Sequence, residues 1–190
     1  MSNAASDMRS ITPLGAHEPA SFSHGPVTVT EIVDVALASY ALRLGHEKKG
    51  HQALKAVLGR GAPDVAKVSN GDIAAFWMGP DQWMISAPMD SHEDLADQLS
   101  TAAKEAASVT EQSGGWCRFD LRGDGLADVF ERLCPVNMRA MKAGDVTRTS
   151  IDHLGCFFLL NDANDVTVYG PRSSAGSLYH ALKTAIRSAH

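Results

Sequence analysis

No run of apolar residues in this chain approaches the roughly 18 to 20 that a membrane-spanning helix needs, so no membrane association is expected. Positive charge is short as well: 17 Lys and Arg stand against 22 Asp and Glu, a formal charge of −5. A nucleic-acid partner needs a basic face to neutralise phosphates. The densest cationic patch, Lys48-Lys49 beside Glu47, belongs to one helix start, which excludes nucleic acid. Cysteine is scarce. Cys117, Cys134 and Cys156 are odd in number, far apart and form no CxxC pair, and no HxxxH occurs. That removes a disulfide framework and the usual zinc spacings. Residues 1–24 hold no apolar stretch behind basic residues, so the expectation is a chain with free thiols in the cytoplasm. What remains is ordinary globular composition, 44% apolar and 21% charged. A chain of 190 residues buries roughly two-thirds of its unfolded surface without a staple.

Residues 1–25 lack periodicity and read as a flexible N-terminal arm. Val27 to Leu44 predicts one or two strands, and Ala53, Leu54, Val57 and Leu58 then mark a helix that Gly59 stops. Ile73 to Met78, the turn Gly79-Pro80-Asp81-Gln82, and Trp83 to Ala87 predict a hairpin. Ser91 is expected to cap a helix with Leu95, Leu99, Ala102, Ala103 and Ala106 as its buried stripe. In the second half, strands are expected at Val109–Glu111 and Cys117–Leu121, parted by a Ser113-Gly114-Gly115 turn. A helix capped by Asp124, strands near 146–150, 153–160 and 166–169, and a last helix from about Ser173 that buries Leu178, Leu182, Ala185 and Ile186 follow. Short turns and loose β/α alternation favour an α+β fold: two related lobes of antiparallel sheet, 26–107 and 108–190, in one compact unit, helices packed on one face.

Chemistry-bearing motifs are sparse. Phe119 to Gly125 runs from strand into helix as a dinucleotide loop would, but Asp128 stands where a third glycine belongs. Asp124 and Asp128 would also occupy the positive helix end that a pyrophosphate needs. His46 and His51 point apart on a helix, and His153 and Cys156 lie on opposite faces of a strand. No GxSxG occurs, and Cys117 sits in an apolar strand as an inert thiol would. Two places stand out. Trp77 and Trp83 flank the hairpin turn as either core lids or interface anchors, core being favoured. Arg172 precedes a helix N-terminus, which its charge opposes, so it is expected to have a carboxylate partner within the chain or on another one.

These places carry a family resemblance. Trp77-Met78-Gly79-Pro80-Asp81-Gln82-Trp83-Met84-Ile85 is similar to the Trp-Leu-Gly-Pro-Asp-Glu-Trp-Leu-Leu stretch of sarcosine oxidase gamma subunits. Val109-Thr110-Glu111-Gln112-Ser113 resembles the family's Val-Thr-Asp-Gln-Ser, and Cys134-Pro135-Val136-Asn137 its Cys-Pro-(Leu/Val)-Asp. Pro171-Arg172-Ser173 resembles its Val-Pro-Arg-Ser, and the order holds from about residue 70 to the C-terminus. Gln82, Trp116, Asn137 and Gly170 depart from the pattern and leave room for a gamma-like member with another amine oxidase partner. The resemblance implies a plait related to the folate-binding domain of glycine-cleavage aminomethyltransferase. It implies a chain without catalytic residues that assembles with alpha, beta and delta subunits, alpha being the main contact. Their complex demethylates sarcosine to glycine with tetrahydrofolate-linked C1 transfer and forms hydrogen peroxide. FAD, FMN, NAD, tetrahydrofolate and zinc would belong to those partners. Trp77, Gly79, Pro80, Asp81, Trp83, Pro171, Arg172 and Ser173 are the candidate interface. The rival expectation is a free-standing folate-binding or C1-transfer protein.

Overall fold

A computed structural model describes residues 10–190, so residues 1–9 of the expected arm lie outside the described residues. Along the chain come β1 (Ser21–His24), β2 (Val27–Ile32), β3 (Val35–Leu42), α1 (Glu47–Leu58), β4 (Val68–Ser69) and β5 (Ala74–Gly79). Then follow β6 (Gln82–Pro88), α2 (Leu95–Ala103), β7 (Ala107–Glu111), β8 (Trp116–Gly123) and α3 (Leu126–Phe130). β9 (Asp145–Ile151), β10 (Leu154–Asp162), β11 (Asp165–Pro171) and α4 (Ala175–Ala189) complete the order. Every strand pair is antiparallel. One sheet runs β1-β2-β8-β11-β10-β9 and the other β4-β5-β6-β3-β7.

Strand alternation sorts the side chains into layers. On β8, Cys117, Phe119 and Leu121 join a core with Leu178, Leu182 and Ile186 of α4 and Val129 and Phe130 of α3. On the other sheet, Ala36, Ala38 and Tyr40 of β3 and Trp83 and Ile85 of β6 face Leu54 and Leu58 of α1 and Leu95 and Leu99 of α2. A third cluster, with Leu37, Phe76, Met84, Phe157, Leu159 and Tyr169, fills the space between the sheets. Helices therefore cover one face of each sheet, and the two free faces close on each other. Phe76 holds this seam, its ring centroid 5.3 Å from those of both Phe157 and Tyr169. At one corner the sheets join through a Lys67–Asp145 bridge and the Val68 N–H donating to the Gly144 carbonyl.

The two sheets are one plan used twice. Tyr40 lies between Trp83 and Val109, and Leu121 between Val166 and Val29. Val35 opposes Pro88, and Trp116 opposes Pro171. In the hairpins, Trp77 opposes Trp83 and Leu160 opposes Val166, and each ladder shifts register just beyond, between Trp77 and Gly79 and between Leu160 and Asp162. β3-β5-β6-β7 thus matches β8-β10-β11-β2. The strand that finishes each plan comes from a different place: β7 follows α2, whereas β2 precedes everything it completes. Sheet membership consequently crosses the division at residues 107 and 108, because β2 pairs with β8 and β7 with β3.

Several local expectations need correction. Within the expected loose arm, Ser21–His24 pairs with β2 as β1. The Ser113-Gly114-Gly115 turn parts β7 from β8 as expected, and in doing so carries the chain from one sheet to the other. Ser91 does not cap α2; its hydroxyl bonds His92 Nδ1 at 2.9 Å, and the helix starts at Leu95. Ala102 is exposed, and Ala106 is buried beyond the helix end. Asp124 does not cap α3 either. Its carboxylate accepts from Asn164 Nδ2 at 2.7 Å, and Gly125, at φ +82°, turns the chain into the helix.

Candidate interaction surface

The β5–β6 hairpin forms because Gly79-Pro80-Asp81-Gln82 supplies the torsions for a reversal, with Asp81 in the left-handed region at φ +57°. The Leu42 N–H donates to the Asp81 carbonyl at 3.0 Å, which ties the turn to β3. Pro80 and Asp81 are exposed, and Gly79 is half-buried. Trp83 is 5% exposed; its indole N–H donates to the Pro63 carbonyl at 2.9 Å, and the His51 ring meets it edge-on at 5.4 Å. Trp83 is a core residue with its polar atom satisfied. Trp77, opposite it, is half-buried against two of the clusters.

Pro171 ends β11 opposite Trp116, and Arg172 begins a 3-10 turn three residues ahead of α4. The Arg172 backbone N–H donates to the Gly115 carbonyl at 3.0 Å and its guanidinium to the Ile11 carbonyl at 3.1 Å. Among the described residues no carboxylate lies in ion-pair distance of Arg172, so of the two expected partners the one within the chain is not found there. The intervening 3-10 turn moves the cation off the first turn of the helix, and a carbonyl accepts from it instead. Arg172 and Pro13 sit by Val35 and Leu37, whereas the hairpin turn is tied to Leu42. Val35 and Leu42 are seven residues apart on one strand, about 23 Å at full extension. The candidate residues thus form two places rather than one. Ser173 is exposed beside the second.

Chemically capable groups elsewhere are engaged with one another. Arg118 donates from Nε and Nη2 to Asp120, both at 2.8 Å. Thr167 donates to Asp120 at 2.9 Å, and Asn161 donates to Thr167 at 3.0 Å and to Asp165 at 2.9 Å. Burial opposes the Arg118 charge, but Tyr169 and Asp120 outweigh it and hold the guanidinium above its ordinary range. This network borders an open groove of about 510 Å³ that also takes in Asp34, Asp72 and Ser86. Burial pushes the Cys117 thiol up to about 11 and Cys156 to about 12, and raises Cys134. Such thiols are poor nucleophiles at neutral pH. Among the described residues no group of three or more His, Cys, Asp or Glu side chains is placed to hold a metal ion, and no helix is long and apolar enough to cross a membrane.

The structure is similar to a chain of the heterotetrameric sarcosine oxidase from Corynebacterium sp. U-96, with a TM-score of 0.77 and 24% identity over 85% of this chain and 84% of that one. It is also similar to the glycine cleavage system aminomethyltransferase T from Bartonella henselae, with a TM-score of 0.59 and 12% identity. That match covers 83% of this chain but only 48% of the aminomethyltransferase, so the chain spans about half its length. No family model and no curated protein matches the sequence. The two structures share the fold: two antiparallel sheets with helices outside.

Proposed function

We propose that the chain is a non-catalytic, gamma-like subunit of a heterotetrameric sarcosine oxidase type of complex, supplying contact surface to alpha, beta and delta partners. The mutual coverage with a chain of such an enzyme carries this reading, since the match takes in 85% of this chain and 84% of that one. The ordered motifs around Trp77–Ile85, Val109–Ser113 and Pro171–Ser173 support it. So do the mutually satisfied Arg118–Asp120 network and the buried thiols. In this reading FAD, FMN, NAD, tetrahydrofolate and zinc sit in the partners, which oxidise sarcosine to glycine. The chain works inside the cytoplasm. Co-expression with the alpha, beta and delta chains of such an oxidase tests it. A tagged copy of this chain should retain a yellow, flavin-containing complex through gel filtration; recovery of the chain alone, with the other three assembled and active, contradicts it.

The shared fold and the open groove beside Arg118 favour one alternative, a free-standing folate-binding or C1-transfer protein. Fold alone does not carry function. Calorimetric titration of the isolated chain with tetrahydrofolate separates the two, because micromolar binding, about −8 kcal/mol, would establish the alternative.

A further inference from the structure

The repeated plan leaves one sheet with a finished edge and the other without. β2 and β7 occupy equivalent positions, Val27 opposite Gly123 and Ala107 opposite Leu42, and run in the same register to Glu31 and Glu111. Their sequences echo each other: Val27-Thr28-Val29-Thr30-Glu31 against Ala107-Ser108-Val109-Thr110-Glu111. β2 is covered by β1, which pairs Phe22 with Val29 and His24 with Val27, and the Glu31 N–H donates to the Ala20 carbonyl at 2.8 Å. β7 has no such neighbour among the described residues. The Arg43 N–H to Ala106 carbonyl bond and the Gln112 N–H to Leu37 carbonyl bond bracket it. By antiparallel alternation, Ser108 and Thr110 then bond β3, while the backbone groups of Ala107, Val109 and Glu111 face outward.

A second equivalence points to what covers this edge. Glu31 is 1% exposed, and its two carboxylate oxygens accept from the N–H groups of Leu14 and Ala20, both at 3.0 Å. It seizes the backbone of the segment that leads into β1. Glu111 holds the same place at β7 but is exposed, and among the described residues accepts only from its own turn, at Ser113 N. In the finished sheet Phe22 lies over the Arg187 guanidinium at 4.8 Å. Matching the buried Leu95 and Leu99 of α2 to Leu178 and Leu182 of α4 puts Ser100 where Lys183 stands, whereas Lys104, which corresponds to Arg187 in sequence, already lies beyond the end of α2 at φ +52°. β7 itself contains no Lys, Arg or Pro, the residues that usually protect an edge, and the one cation on it is Arg43 of the neighbouring strand end, whose Nε donates to Ser108 Oγ at 3.1 Å. Leu44, next to Arg43 at one end of the edge, is 96% exposed.

We propose that the β7 edge accepts an extended strand from a different polypeptide, antiparallel to β7, with an aromatic or large apolar residue opposite Val109. The Glu111 carboxylate takes the backbone N–H groups of the residues leading into that strand, as Glu31 does. A second copy of this chain fits less well. Its own β7 comes straight out of α2, with the Lys104 N–H given to Ser100 and the Ala106 N–H to Ala103, which leaves Glu111 the Ala107 N–H and no extended lead-in before it, and that strand sets no aromatic residue opposite Val109. The proposal stands on the internal repeat and not on the identity of the complex. A synthetic peptide with the sequence of residues 14–24 serves as the probe, titrated into the isotope-labelled full chain and followed by amide NMR. Saturable shifts are expected at Ala107, Val109 and Glu111, with a dissociation constant on the order of 1 mM. Glu111→Ala in the chain, or Phe22→Ala in the peptide, should weaken binding at least about tenfold. No shift at these amides up to several times that concentration, or shifts confined to Val27–Glu31, overturns the proposal. So does a purified chain that is already a dimer with its β7 amides protected, since the occupant would then be a second copy.

Discussion

The sheet bearing α1 and α2 and the sheet bearing α3 and α4 share register and differ in what they spend it on. On the faces that meet, Leu37, Ser39, Met84 and Ser86 of one sheet hold the positions of Arg118, Asp120, Thr167 and Tyr169 of the other. Register alone therefore does not dictate polarity: the ladder is a backbone property, and either side-chain set can ride on it. The edges differ more consequentially. One ladder ends on a strand from the N-terminal segment, the other on open N–H and C=O groups.

Substitution at matched positions probes how far the equivalence reaches. Leu99 and Leu182 are both fully buried under their helices. Leu99→Ala and Leu182→Ala should each cost about 2 to 5 kcal/mol in urea unfolding, both lowering one shared transition. Two separate transitions would break the picture of a single cooperative unit. Next comes the polar face. Asp120→Ala leaves Arg118 without its bidentate partner and should cost about 2 to 3 kcal/mol, whereas Ser39→Ala, at the matching place, should stay within about 0.5 kcal/mol. Equal effects would mean that the network is solvated rather than structural.

A subtler difference lies at Gly170, which matches Ala87. A Cβ at Gly170 would run into the Leu178 side chain, whose methyl group fills the space over the glycine. Gly170→Ala should cost about 1 to 3 kcal/mol by overpacking, and a neutral result would show that Leu178 has room to move. The smallest effect concerns pH. Cys117 and Cys156 lie on strands of the sheet of α3 and α4, with Cys134 packed against the same core from the loop after α3, and burial raises Cys117 and Cys156 from 9.0 to about 11 and about 12. Their protonated forms are favoured in the folded chain. Stability from them is complete below pH 9 and falls as pH climbs toward 11 to 12, by at most about 1.4 kcal/mol per pH unit for each thiol. Cys117→Ala with Cys156→Ala should flatten that alkaline decline in thermal unfolding; an unchanged slope would assign it to other groups.

The elements with local signals were legible in the sequence. Gly79-Pro80-Asp81 announced its hairpin, and Leu178, Leu182, Ala185 and Ile186 announced the buried stripe of α4. Signals that act at a distance were not. Nothing near Val27 says that its ladder partner is Gly123. Asp152-His153 turns β9 into β10 with both residues at positive φ, a role the sequence alone would more readily give to Asn-Gly. Asp124 has the chemistry of a helix cap, yet Asn164, forty residues on, takes its carboxylate. Of the candidate interface, the aromatic hairpin was visible, but Trp83 was not separable from a surface anchor until its indole N–H was seen on Pro63. The open edge of β7 is not legible in its local sequence. The echo of Val-Thr-Glu at 29–31 and 109–111 was the available signal, and only the pairing gave it meaning.

Hydrogen exchange on the isolated full chain, resolved residue by residue, addresses the matter most directly. Val27, Val29 and Glu31 should exchange slowly beneath β1, while their counterparts Ala107, Val109 and Glu111 exchange orders of magnitude faster from a bare ladder. Equal protection at the two sets of amides would mean that both sheets are already finished, and the asymmetry on which a docking strand depends would be gone.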